Sequence, residues 1–166
     1  HRGVIAVTQQ STELGGQVDA ALGVVGVVLK PVRRDAAKLL AQVVADVFQI
    51  EMDAIKITAT ATGKVPNTSA TAASTGSDLN GMAAFNAAMQ IRGRMAKVAA
   101  DHFGVGDEII TFREGRVHAN NESVSFGELA KMSWLKRVQL SEAGFYKTPK
   151  IHWDGKTMRG RPFFYF

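Results

Sequence analysis

The sequence has no cysteine. Disulfide staples, thiolate metal sites and cysteine nucleophiles are therefore excluded over this stretch. Histidine is scarce: His1, His102, His118 and His152 stand far apart and lack metal-site spacing, so they read as structural or surface groups. No apolar run is long enough to cross a bilayer. The nearest candidate, Ala20 to Leu29, is stopped by Lys30-Pro31, and no secretory signal is read. There is no glycine-rich loop leading into lysine and serine or threonine. Nor does a G-x-G-x-x-G motif open a helix, and Gly23 and Gly26 are a pair without the rest of that pattern. No serine stands in a nucleophile elbow. Glu13, Asp46, Glu51 and Asp53 show no paired arrangement that acid–base work demands. The stretch offers a binding surface, no complete catalytic set and no metal ligands.

What is present fits a single domain, or part of one, at 166 residues. The formal net charge is +5. The basic residues are scattered, densest over Lys147 to Arg161, and aromatic residues are not interleaved with them as a base-stacking platform would need. A nucleic-acid partner is therefore not expected. The chain opens on His1 and closes on the aromatic run Pro162-Phe163-Phe164-Tyr165-Phe166. We expect a segment of a longer protein, with apolar surface awaiting cover from elsewhere.

Val4-Ile5-Ala6-Val7-Thr8 reads as a strand. Ala20 to Leu29 is ambiguous between strand and helix. Asp35 is a candidate cap for a helix through Phe48, whose Leu39, Leu40, Val43, Val44, Val47 and Phe48 recur every three or four residues. Asp53 to Thr62 alternates as a half-buried strand. A long helix is expected from about Asp78 to His102, closed by Gly104. Its Met82, Met89 and Met95 are spaced as core filler. Glu108 to Phe112 and Arg116 to Ala119 form a hairpin through Glu114-Gly115. Ser125-Phe126-Gly127-Glu128 is a capping box opening a helix to about Val138. The remainder is strand and turn. The fold class is α/β, with mixed α+β layers: short strands packed on two or three helices.

The stretch Val65 to Gly81 carries most of the chemistry. A proline, then small residues, lead from a strand into a helix. Thr71, Ser74, Thr75 and Ser77 offer hydroxyls, while Ala72, Ala73 and Gly76 leave backbone accessible. Either Ser77 or Asp78 could cap the helix, whose first amides attract negative charge. Such a stretch is either a cradle for a phosphate-bearing group or a tight connection whose hydroxyls satisfy their own backbone.

Lys64-Val65-Pro66-Asn67-Thr68-Ser69-Ala70-Thr71-Ala72-Ala73-Ser74, with Ser77-Asp78-Leu79-Asn80-Gly81, resembles the molybdopterin-binding large subunit of xanthine dehydrogenases. A second block, Val138-Gln139-Leu140-Ser141 with Gly144 to Asp154, resembles the same subunit in bacterial members, and Arg161 to Phe166 continues it. The family-like part runs from 39 to 166 of a single partial domain spanning 1–166, and 1–38 is atypical. There Ser11-Thr12-Glu13-Leu14-Gly15-Gly16-Gln17 is similar to a family cofactor loop, but slipped by one residue at the glutamine. Gln17 is not assigned to the cofactor.

The resemblance implies that Thr71, Ala72, Ala73 and Ser74 bind molybdopterin and that Ala72 and Ala73 also line the substrate pocket. It implies a cytoplasmic enzyme that hydroxylates hypoxanthine and xanthine, with iron–sulfur (2Fe-2S) and FAD modules and the rest of the molybdenum subunit outside this chain. It places the catalytic glutamate beyond this chain, so no catalytic residue is assigned and the segment alone is expected to be inactive. The alternative is a stand-alone or remnant phosphate- or anion-binding module without catalytic activity.

Overall fold

The computed structural model describes residues 2–9, 23–28, 34–58, 78–149 and 152–161. β1 (Arg2–Gln9) pairs antiparallel with β2 (Gly23–Val28), Val4 facing Val28 and Gln9 facing Gly23. That pairing resolves the ambiguous valine-rich segment as strand. α1 (Arg34–Phe48) then carries the chain to β3 (Ile55–Thr58), which lies parallel to β2 with Val25 facing Ile55. Parallel neighbours need a crossover, and α1 supplies it. Asp35 falls inside the first turn of α1, because the helix begins at Arg34, before the position at which Asp35 could cap it.

Leu40, Val44, Val47 and Phe48 of α1 are buried, whereas Leu39 is 42% exposed. The sealed stripe is shifted rather than narrowed: Ala41 and Ala45 are buried beside these four, while Leu39 and Val43 lie toward solvent at its edge. Strand β3 is shorter than expected at its start. Met52–Ala54 form a single 3-10 turn, and Ile55 and Ile57 are half-buried while Lys56 is exposed.

α2 (Leu79–Phe103) is the central helix. Its inward face is largely alanine, with Ala83, Ala84, Ala87 and Ala88 buried beside Ile91 and Met95. Met95 is fully buried, but Met82 and Met89 are 38% and 40% exposed. The three methionines therefore do not share one face. Residues 82 and 89 are seven apart and align, while a step of six to Met95 swings it to the other side.

Past a 3-10 turn at Asp107–Ile109, where strand was expected, β4 (Thr111–Arg113) and β5 (Arg116–Ala119) form the hairpin. Glu114 (φ 52°) and Gly115 (φ 72°) both lie in the left-handed region, as a two-residue type I′ turn requires. A third strand, β6 (Glu122–Ser125), pairs with β5 and was not expected from the sequence. α3 (Phe126–Leu135) follows at once. Its capping box is complete: the Ser125 hydroxyl accepts from the Glu128 amide at 3.2 Å, and Glu128 Oε2 accepts from the Ser125 amide at 2.9 Å.

β7 (Ser141–Phe145) returns to pair antiparallel with β1, Gly3 facing Gly144, and gives the sheet order β3-β2-β1-β7. β8 (His152–Asp154) and β9 (Arg159–Arg161) make a separate hairpin. The largest fully buried side chains are Phe48, Leu40, Ile91, Met95 and Leu129, from all three helices. The ring of Phe48 meets Phe126 edge-on, centroids 5.4 Å apart. Beside them, the Gly115 amide donates to the Gln49 carbonyl at 2.6 Å, and the Phe126 amide donates to the Gly115 carbonyl at 2.9 Å. The hairpin turn thus ties the end of α1 to the start of α3.

All three helices end alike. Gln49, Gly104 and Arg137 each adopt a left-handed backbone. The following amides of Ile50, Val105 and Val138 return to the carbonyls of Ala45, Ala100 and Ser133. This is the Schellman closure, which satisfies carbonyls that the helix leaves open.

Candidate functional site

Thr71, Ala72, Ala73 and Ser74 lie outside the described residues, as do Ser77 and Gln17. The structure describes the two attachments of that segment. β3 ends at Thr58, and α2 begins at Leu79. Asp78 precedes α2, and its carbonyl accepts the Met82 amide at 3.0 Å. Its side chain makes no capping bond. The reason is its helical backbone (φ −72°, ψ −74°), whereas a capping residue needs extended angles such as those of Ser125 (φ −68°, ψ 153°).

By helix geometry, the amides of Leu79, Asn80 and Gly81 find no acceptor within α2. The first turn contains no acidic residue. These donors and the positive end of the helix dipole suit an oxygen-rich, phosphate-bearing group.

Behind those turns, β7 lies against the alanine face of α2. Gly144 is buried there, and a methyl added to it would overlap the Ala83 carbonyl oxygen and stand 2.7 Å from its carbon. It would also sit 3.1 Å from Ala87 Cβ. Asn86 Nδ2 donates to the Phe145 carbonyl at 2.9 Å, which ties the same end of α2 to the strand. Further along, Arg94 Nη1 reaches Glu142 Oε2 at 2.8 Å. Composition did not single out these contacts, although the run of alanines at 83, 84, 87 and 88 is the trace of a helix approached closely by backbone.

The titratable groups are engaged locally. The Ser125 hydroxyl and amide hold the Glu128 carboxyl below the usual carboxylate range. Arg94, then the Ala143 amide, do the same for Glu142, and Thr157 with the Lys156 amide do so for Asp154. Among the described residues, no three histidine, cysteine or acidic side chains gather as a metal site. His102 and His152 are exposed, and His118 is half-buried in β5. Phe145, Trp153 and Trp134 are more than half exposed, matching the expectation of uncovered apolar surface.

A family model described as molybdopterin cofactor-binding domain matches residues 36–166. Xanthine dehydrogenase from Oryza sativa subsp. japonica is 39% identical over 127 residues, which is 76% of this chain and 8% of that protein. Xanthine dehydrogenase from Dictyostelium discoideum is 33% identical over 167 residues, covering 99% of this chain and 10% of that protein. The chain therefore spans a tenth or less of these relatives' lengths. Among solved structures, reconstituted CO dehydrogenase from Oligotropha carboxidovorans superposes with a TM-score of 0.72 at 18% identity, over 89% of this chain and 18% of that one. Quinoline 2-oxidoreductase from Pseudomonas putida 86 gives 0.68 at 18% identity, over 96% and 22%. At that identity the likeness is one of fold, and it agrees with the mixed layers of strands and helices expected from the sequence.

Proposed function

The chain belongs to the family of molybdopterin cofactor-binding domains, and from that premise we propose that it forms part of the cofactor pocket of a xanthine dehydrogenase-type molybdenum hydroxylase. The observation that carries the proposal is the strand and the helix that bracket one short segment within the family-matched span. They flank 59–77, the helix opens on amides without internal acceptors, and no acidic side chain occupies its first turn. The donors fit an oxygen-rich pterin and its phosphate.

Within the proposal, Thr71, Ala72, Ala73 and Ser74 hold the molybdopterin. The hydroxyls of Thr71 and Ser74 and the neighbouring amides grip its polar edge. Ala72 and Ala73 carry only methyl groups, which leave a flat purine, hypoxanthine or xanthine, room beside the metal. When bound, the cofactor supplies the two-electron redox chemistry of hydroxylation. This chain binds and orients it. The proton-accepting group, the 2Fe-2S clusters and the FAD belong to other parts of the assembly, together with the rest of the molybdenum subunit. The proposal also takes 1–166 as one partial domain, family-like from 39 and of bacterial type, working in the cytoplasm. No helix among the described residues is long and apolar enough to cross a membrane.

The test is molybdenum and pterin analysis of the full-length protein containing this chain, with xanthine-dependent dye reduction. Stoichiometric cofactor and turnover are expected, with none from the isolated 166-residue piece. A full-length protein that binds phosphate but never molybdopterin would establish the anion-binding alternative instead.

A further inference from the structure

We propose that Gly144 is a positioning residue for the cofactor, acting through the first turns of α2. The inference rests on the pocket proposed above. Gly144 allows β7 to touch the main chain of Ala83, so the strand fixes where that turn of the helix lies. Ala83 is the fifth residue of α2, about 6 Å along the axis from Leu79 at 1.5 Å per residue. Helix backbone is stiff over such a distance, so a displacement at Ala83 reaches the amides of Leu79 to Gly81 and the point where 59–77 enters.

The obstacle to a larger residue is main chain. The Ala83 carbonyl cannot rotate aside as a flexible side chain would, and Ala87 Cβ closes the second direction. The effect is also directional. The far half of α2 is held by fully buried Ile91 and Met95 and by the long Arg94 side chain on Glu142. The buried residues of the near half are all small, Gly81 and the alanines at 83, 84, 87 and 88, and it meets β7 at Gly144 and through the Asn86–Phe145 bond. A methyl at 144 therefore swings the cofactor end of α2 about its anchored far half.

The experiment uses the full-length enzyme and compares wild type, Gly144→Ala and Val98→Ala. Val98 is buried in the far half of α2 and serves as the control for lost stability alone. For each protein, molybdenum and pterin per protomer, the molybdenum(V) electron-spin-resonance signal and the thermal midpoint are measured. Gly144→Ala should hold at least fivefold less cofactor, with an altered signal from what remains. Val98→Ala should keep wild-type content and signal despite a lowered midpoint. Wild-type content and signal in Gly144→Ala would overturn the proposal, as would equal loss in both variants. Wild-type protein without molybdopterin would instead remove the pocket assignment itself. If Gly144→Ala does not accumulate, Asn86→Ala decides. It should lose molybdenum on dilution two- to threefold faster than wild type, and an unchanged rate overturns the proposal.

Discussion

Arg94 in α2 and Glu142 in β7 form an ion pair at 2.8 Å, half-screened from solvent, that joins the long helix to the edge strand of the main sheet. Arg94 also leans toward the Ser141 carbonyl, and the Ala143 amide donates to the second Glu142 oxygen at 3.1 Å. The carboxylate is thus held from helix and strand together.

This pair predicts a pH dependence. Glu142 is held below the ordinary value of 4.5, first by the Arg94 hydrogen bond and then by the Ala143 amide. A carboxylate whose folded pKa is depressed contributes stability that is fully present above its unfolded value. That stability is lost as pH falls through the folded one. The midpoint of wild type should therefore exceed that of Glu142→Gln at neutral pH, with the two converging below pH 4.5. Thermal unfolding across that range checks it, and a gap that stays constant in acid contradicts it.

Ser133 predicts a substitution that costs nothing. Its hydroxyl is fully buried in α3 and makes no hydrogen bond. A buried, unpaired polar group carries a desolvation penalty of about 1–3 kcal/mol. Ser133→Ala should leave the unfolding free energy from denaturant titration unchanged or raise it by up to about 1 kcal/mol. A clear loss would mean that the hydroxyl has a partner.

The helix ends predict a pair of opposite effects. Arg137 pays a left-handed penalty that glycine avoids, and Gly104 occupies the same position without paying it. Arg137→Gly should stabilise by up to about 1 kcal/mol, and Gly104→Ala should destabilise by about 1–2 kcal/mol. Equilibrium unfolding of the two variants should move in opposite directions.

Ile91 tests whether the three helices share one core. It is fully buried in that cluster. Ile91→Ala should cost about 2–5 kcal/mol, and far-ultraviolet circular dichroism and amide infrared absorption should show helix and sheet lost together. Separate transitions would mean that the layers unfold independently.

The parts legible in the sequence were those decided locally. Ser125 and Glu128 stand three residues apart and build their capping box from each other. Gly104 closes α2 where a glycine follows the last apolar turn, and Glu114-Gly115 makes the turn expected of it. Features decided by distant partners were hidden. Glu122–Ser125 has little apolar alternation and becomes a strand by pairing with β5. The valines of 23–28 become strand through β1 and β3. Met82 and Met95 share a composition and differ only in which side of α2 they occupy. At the candidate site, composition supports a small-residue cradle, while the cofactor identity came from family resemblance. Asp78 did not become a cap, because its backbone continues the helix.

The main sheet joins strands that lie far apart in the sequence, Gly3 opposite Gly144 and Ile5 opposite Glu142. During synthesis, β1 is made well before β7 and must wait for Ser141–Phe145 before that neighbour arrives. Until then its outer row of backbone donors and acceptors is available to other nascent chains.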